Sequence, residues 1–303
     1  MAQKSQFSSN MADLLIPLAG LLLGVGNVWF VDSGATGNSD SSGAGRTVSN
    51  PFATLGFALG QTTPSNGDIV FVHPGHTETI SAADGIRFGT SAVGVQVIGI
   101  GVGLTRPTFN FTSVTTADME IDAASVVLRN LYFDLTGIDA LVAAIDVNAS
   151  NFQMIGCEFL QADSGGQALV AVDLDGNADD SRISNCKFMA ETAGDSNGAI
   201  QITGTLSGLE IDNCWIDGDY DDACIFSTVA FTEGLIRECY LRNQLTGQHS
   251  IEFTAAATGM LVNNRYHNDL TQATGVDPGS MFSFECYHDD VVDTSGILTP
   301  VAT

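Results

Sequence analysis

The residues best suited to chemistry form one acidic run, Asp217-Gly218-Asp219-Tyr220-Asp221-Asp222, followed by Glu233 and Glu238. Hydrolysis of a glycosidic bond needs two carboxyls, one with a raised pKa and the other placed as nucleophile or as base for a water. Elimination from an acidic sugar would need calcium-holding aspartates and a basic proton acceptor, for which Arg237, Arg242 and Arg265 stand nearby. If the chain is an enzyme, Asp217, Asp219, Asp221 and Asp222 are its catalytic candidates. The simpler reading is a solvated acidic turn, and the expectation is no enzyme, no catalytic residue and no cofactor.

A second set, Asp173, Asp175, Asn177 and Asp179, alternates oxygen ligands as a calcium loop does. The EF-hand pattern requires glycine at its sixth place and glutamate at its twelfth. Here Gly176 is fourth and Ser184 is twelfth, so these four are weak calcium candidates beside a turn rich in Asx hydrogen bonds. His73, His76 and Glu78 resemble a zinc tripod on paper, but Pro74-Gly75 puts a turn between the histidines, and no metal is expected. His267 and His288 are expected at the surface. Gly99-Ile100-Gly101-Val102-Gly103 follows a strand-like run, yet Arg106-Pro107 interrupts any helix that a dinucleotide site would need.

The elements that must position these residues show up as a repeat. Leu128–Phe133, Ile155–Phe159, Ile183–Phe188, Ile211–Ile216, Ile236–Leu241 and Val262–Tyr266 follow one pattern, recurring roughly every 25 to 30 residues. Their shared anchor position reads Leu131, Cys157, Cys186, Cys214, Cys239, Arg265. Each repeat has a second alternating segment upstream, such as Met119–Asp122, Ala144–Val147, Val170–Leu174, Ile200–Thr203, Cys224–Ser227 and Ser250–Phe253. Alternation of apolar and polar residues marks strands with one buried face, and Gly, Asn, Asp, Ser and Thr clusters between them are turn chemistry. One such unit cannot bury its own apolar face, so the units must stack. The expected fold is all-β, a parallel β-helix of eight to ten coils. Four cysteines at one repeat position then form a file of free thiols, packed as small hydrophobes and made in a reducing compartment.

Composition narrows the partners. The net charge of −25 comes from 35 acidic and only 10 basic residues, so no Lys/Arg patch exists to bind a phosphate backbone, and nucleic acid is excluded. Leu14–Val25 is apolar but broken by Pro17, Gly20 and Gly24, and it is too short to span a membrane. Residues 1–26 are read as an anchoring arm, 27–110 as a first strand, cap helix and first coils, 111–290 as regular coils, and 291–303 as a tail. Phe52–Leu59 has helical spacing, with Ser49 or Asn50 as cap ahead of Pro51.

The stretch "NVWFVDSG…NPFATLGFAL…NGDIVFVHPGHTETI" resembles the opening of pectate-lyase-like right-handed parallel β-helix proteins. With "GVQVIGIGVGLTRPTF" and the Asn-Cys-x-Phe pattern of Asn185–Phe188, followed in part by Gly156–Phe159 and Asn213–Ile216, it is similar to a family of tailed-phage virion proteins, over roughly residues 27–270. The resemblance implies a single-stranded right-handed solenoid and a homotrimeric particle component. Such a protein would sit on the virion surface as a capsid decoration or head fibre, after folding in the host cytoplasm. It would be attached through residues 1–26 to the major capsid protein or another virion protein, and host glycan would be a further partner. The alternative is a tail fibre or tailspike that binds or depolymerises host surface polysaccharide. The polysaccharidase motifs themselves are not matched. Tyr240, Tyr266 and Phe253 are expected as exposed aromatics available for trimer contacts.

Overall fold

In a computed structural model the chain is a right-handed parallel β-helix, described over residues 26–162, 165–191, 195–270, 274–290 and 296–297. The expected arm at 1–26 lies, Gly26 aside, outside the described residues, as does nearly all of the tail at 291–303. Among the described residues eight coils each contribute one strand to each of three sheets, in which every pairing but the last is parallel. In the coil that starts at Gln153 these are Gln153–Ile155 in the first sheet, Glu158–Gln161 in the second and Ala168–Leu174 in the third.

The sheets form because the coils alternate in phase. In the first sheet Val97, Leu128, Met154, Ile183, Ile211, Ile236 and Leu261 are paired in succession and fully buried. In the second, Phe109, Phe133, Phe159 and Phe188 stack with ring centroids 5.8, 4.7 and 4.7 Å apart. Ile216, Leu241, Tyr266 and His288 continue the same inward file. A parallel ladder puts each residue about 4.8 Å from its counterpart, so flat rings in one file lie face to face.

The corner between the first and second sheets is set by a two-residue device. Asn130, Gly156, Asn185, Asn213, Glu238, Asn263 and Glu285 all have positive φ, between 49° and 64°. Asparagine and glycine tolerate this left-handed conformation best, which accounts for the repeated Asn. The next residue turns inward: Leu131, Cys157, Cys186, Cys214, Cys239, Asn264 and Cys286, all buried. Each thiol donates weakly to two backbone carbonyls. Cys214 Sγ, for example, lies 3.4 Å from Asp212 O and 3.6 Å from Ile183 O of the preceding coil. All six cysteines are free and buried.

This file corrects the expected anchor. Arg265 pairs with Tyr240, so the position equivalent to Cys239 is Asn264, and Cys286 is a further member. Asn264 does the thiol's work with stronger groups: its Nδ2 donates to Ile236 O at 2.8 Å and its Oδ1 accepts from Cys239 N at 3.0 Å. A slip of one residue exchanges the faces of a strand. Accordingly Tyr266, expected outside, is buried, and Arg265 points to solvent. Phe253 and His288 are likewise buried, while Tyr240 is half-exposed. His288 Nε2 is held at 3.0 Å from Asn268 Oδ1.

The N-terminal end is closed by a short helix, Leu55–Leu59, which buries Leu55, Ala58 and Leu59 over the column. Its cap is Thr54, whose Oγ1 accepts from Phe57 N at 3.3 Å, and not Ser49 or Asn50. Phe52 starts the correction: it bridges Val31 as a strand residue, which keeps the chain extended past Pro51. Asp40 then receives Ala53 N and Thr54 N. Beneath the helix, buried Asp68 accepts from Asn27 N, Thr63 N and Asn66 Nδ2 at 2.7 to 2.8 Å. Burial raises its pKa, and those hydrogen bonds outweigh the rise, leaving it below the usual aspartate value.

Truncating the middle of the ring stack tests this packing. Phe159→Ala should lower the unfolding free energy by about 3–5 kcal/mol. It should do so at an unchanged denaturant slope, read from chemical denaturation curves. A loss inside the noise would mean that the rings do not form one interior file.

Candidate ligand-binding face

The four catalytic candidates straddle a sheet corner. Asp217 points outward from Trp215–Gly218 of the second sheet, where Gln244 Nε2 donates to it at 2.8 Å and Arg242 lies 3.6 Å away. Asp219 is buried at the bend. Asp221 and Asp222 lie on Tyr220–Ser227 of the third sheet, exposed and half-exposed. Burial, then the charges of Asp195, Asp222 and Asp219, push the Asp221 carboxyl up. Asp217 is thus tied to an amide and an arginine on one sheet, while Asp221 and Asp222 belong to another. Glu233 accepts from Ser207 Oγ at 3.1 Å, and Glu238 is one of the left-handed corner residues.

The calcium candidates divide in the same way. Asp173 is on the outer face of Ala168–Leu174 and accepts from Thr203 Oγ1 at 2.9 Å. Asp175 caps the amide of Gly176, and Asp179 accepts from Ser207 N at 2.7 Å in the turn beyond. Asn177 sits in that turn. The carboxylates are spent on turn amides and hydroxyls, as Asx chemistry requires. His76 is also structural: its Nδ1 accepts from Ser33 N at 3.0 Å and its Nε2 faces Glu78 Oε2 at 3.1 Å. Glu78 in turn receives Leu55 N, so this pair braces the cap helix. His73 lies 3.5 Å from Asp32, with its pKa lowered mainly by burial.

Register exposes a feature that composition hid. On the outer face of the third sheet Glu120, Asp146 and Asp173 are consecutive ladder partners. Asp84 and Asp118 stand beside Glu120, with carboxylate oxygens within 4.8 Å of one another. Arg87 bonds Asp84 and Asp122 and supplies the local counter-charge. Desolvation, then the neighbouring charges of Asp146 and Asp122, raise Glu120 to about 7 against the bond from Asn148. Desolvation, with Asp173 and Asp118 following, raises Asp146 to about 6. The repeated acid between two apolar positions in Met119–Asp122, Ala144–Val147 and Val170–Leu174 was the available signal.

The outer face of the second sheet differs from the rest of this acidic molecule. Its successive partners are Lys187, Trp215, Tyr240, Arg265 and Tyr287. Trp215 and Tyr240 stack at 4.1 Å, and the Arg265 guanidinium lies 5.9 Å from the Tyr240 ring centre. Trp215 and Tyr287 are each 46% exposed. Open clefts flank the stacked pair, one of about 500 Å³ beside Lys187 and Trp215, the other of about 420 Å³ between Tyr240 and Tyr287. Rings and cations on a rigid strand face are suited to gripping a ligand by stacking and charge.

Solved structures with the same architecture include the pectate lyase Pel9A, with a TM-score of 0.52 over 88% of this chain and 76% of that one, at 11% identity. The fold is that of the pectate lyases. A pectin methylesterase from Aspergillus niger gives a TM-score of 0.49 at 16% identity, covering 91% and 92% of the two chains. The ORF18 protein of Geobacillus virus E2 gives 0.38 at 14% identity, covering 91% and 64%. No protein-family model matches the chain, and no curated protein matches it. Identities this low carry the fold and none of the neighbours' chemistry. No helix among the described residues is long and apolar enough to cross a membrane.

The acidic column gives a pH test. Raised carboxyl pKa values mean that the folded chain holds protons the unfolded chain has released. The stability they contribute is complete below the ordinary carboxylate range and is lost as pH rises through about 6 and then about 7. Melting temperature should therefore fall across this window, and Glu120→Gln should flatten the fall. An unchanged slope in that variant would show that the column is not protonated as described.

Proposed function

We propose that the chain is a non-enzymatic structural protein of a tailed-phage particle, standing at its surface as a capsid decoration or head fibre. The ordered resemblance of residues 27–270 to tailed-phage virion proteins carries this reading. The geometry supports it. The column is continuous from the capped N-terminal coil to the last, its interior is lined by files of rings and thiols, and its six cysteines are free and buried. A thiol interior fits folding in a reducing cytoplasm before assembly. The acidic candidates support a binding role better than a catalytic one, because Asp217 is committed to Gln244 and Arg242. In this reading residues 1–26 attach the protein to the particle, and three copies associate side by side.

One observation favours a second reading. The outward row of Trp215, Tyr240, Arg265 and Tyr287 sets rings and a cation on one rigid face, which suits the recognition surface of a tail fibre or tailspike. Two measurements together separate the readings. Antibodies against the purified protein, imaged on intact particles, should label the head. Incubation of the protein with host surface polysaccharide should release no new reducing or unsaturated ends. Label at the tail tip, or chain cleavage abolished by Asp217→Asn, would overturn the head-bound, non-enzymatic assignment.

A further inference from the structure

We propose that the outer face of the first sheet is the surface on which a second copy of this chain docks. The inference rests on the side-by-side association proposed above, to which it assigns the residues in contact.

That face is more apolar than an outward strand face needs to be. Alternation buries every second residue of a strand and leaves the others to water, where polar residues are expected. On the first sheet more than half of the outward positions are apolar. The excess peaks in the last two coils, where Met260 pairs with Phe282 and Val262 with Phe284. Phe282 is 66% exposed and Phe284 55%. Ile100, Val102 and Leu104 are exposed as well, in the turn that carries the chain from this sheet to the second. Six of the ten large apolar side chains exposed among the described residues thus gather on this face or at its corner. Contiguous bare apolar surface of this kind marks a contact with another molecule.

Charge selects the occupant. The outward charges of the sheet are Arg129, Arg182 and Arg237 against Glu210 and Asp212, and all but Arg129 are tied into one lattice of ion pairs lying in the face. The face is therefore nearly neutral on a chain of net charge −25. The third sheet, with Glu120, Asp146 and Asp173 in one file, would repel its own copy and draw a basic partner instead. The first sheet offers a basic partner no field. Its phenylalanines, methionine and arginines are the side chains enriched where proteins meet, and its balance of both signs lets the same surface face itself.

The size is sufficient. Ten strands at the parallel spacing make a face roughly 45 Å long, and two outward residues per strand make it about 14 Å wide. Two copies would bury about 1,200 Å² between them, the lower bound of stable specific interfaces, before the turn bearing Val102 and Leu104 is added.

The test uses the full chain. Sedimentation equilibrium at micromolar concentration should give a whole multiple of the chain mass. Met260→Asp and Phe282→Asp, both at exposed positions, should each weaken association about tenfold or more at an unchanged circular dichroism spectrum. Val142→Asp, at an exposed position of the third sheet, should leave association unaltered. Because the six native cysteines are buried, a thiol introduced by Phe284→Cys reports its own surroundings. It should react with maleimide about tenfold faster after dilution to the monomer than in the associated protein. Protection that does not change on dilution would mean that a segment of the same chain covers the face, and would overturn the proposal. A multimer that survives both aspartate variants would overturn the face while leaving side-by-side association standing. A monomer would overturn both. None of these outcomes changes where antibodies label the particle.

Discussion

The constraint on which everything rests is parallel, in-register stacking of one coil on the next. Backbone amides are satisfied by the neighbouring coil, so each side chain meets its own counterpart at a fixed short step. Like therefore meets like, and each file must be a residue type that tolerates itself. Phenylalanines do so by stacking and thiols by donating to carbonyls. Asn213 does so by donating to Asn185 Oδ1 at 2.7 Å. Charges do so by alternating, as where Arg182 and Arg237 flank Glu210 and Asp212 on the first sheet. The third sheet breaks that rule with three acids in succession, and the result is the displaced proton affinity of Glu120 and Asp146.

Much of this was readable from the chain. The shared anchor position marks the inward thiols, and Cys157, Cys186, Cys214 and Cys239 do line one interior file; the positive φ just before each and the ring file two residues after it come from the structure. What escaped was phase at the irregular end. Val262-Asn263-Asn264-Arg265-Tyr266 offers two asparagines, and aligning Arg265 with the cysteines turned Tyr266 outward on paper. Only backbone pairing shows that Asn263 takes the positive φ and Asn264 points inward. His288 was misread for the same reason, since it continues the file of Tyr266. The cap helix began late because a tertiary bridge from Phe52 to Val31 overrode a local proline signal.

The outward columns were harder still. Trp215, Tyr240, Arg265 and Tyr287 are 22 to 25 residues apart in sequence and have no common motif. They become a surface only once the register is known. The acidic run at 217–222 was conspicuous in sequence because its members are consecutive, yet consecutive residues around a corner face different directions. In a solenoid, the groups that act together are those one period apart. The pectate-lyase fold supplies such columns on every face and leaves their chemistry to whichever residues occupy them.

The last coil carries a small irregularity. Gly296–Ile297 pairs with Tyr287–His288 in the antiparallel sense, against the direction of every strand pairing before it in that sheet. A bare parallel edge is a template on which another chain can grow, and identical coils are suited to feeding it. Reversing the strand presents an incoming coil with the wrong polarity. At this end the reversal covers the edge of one sheet of the three, whereas the helix lies over the opposite mouth of the column.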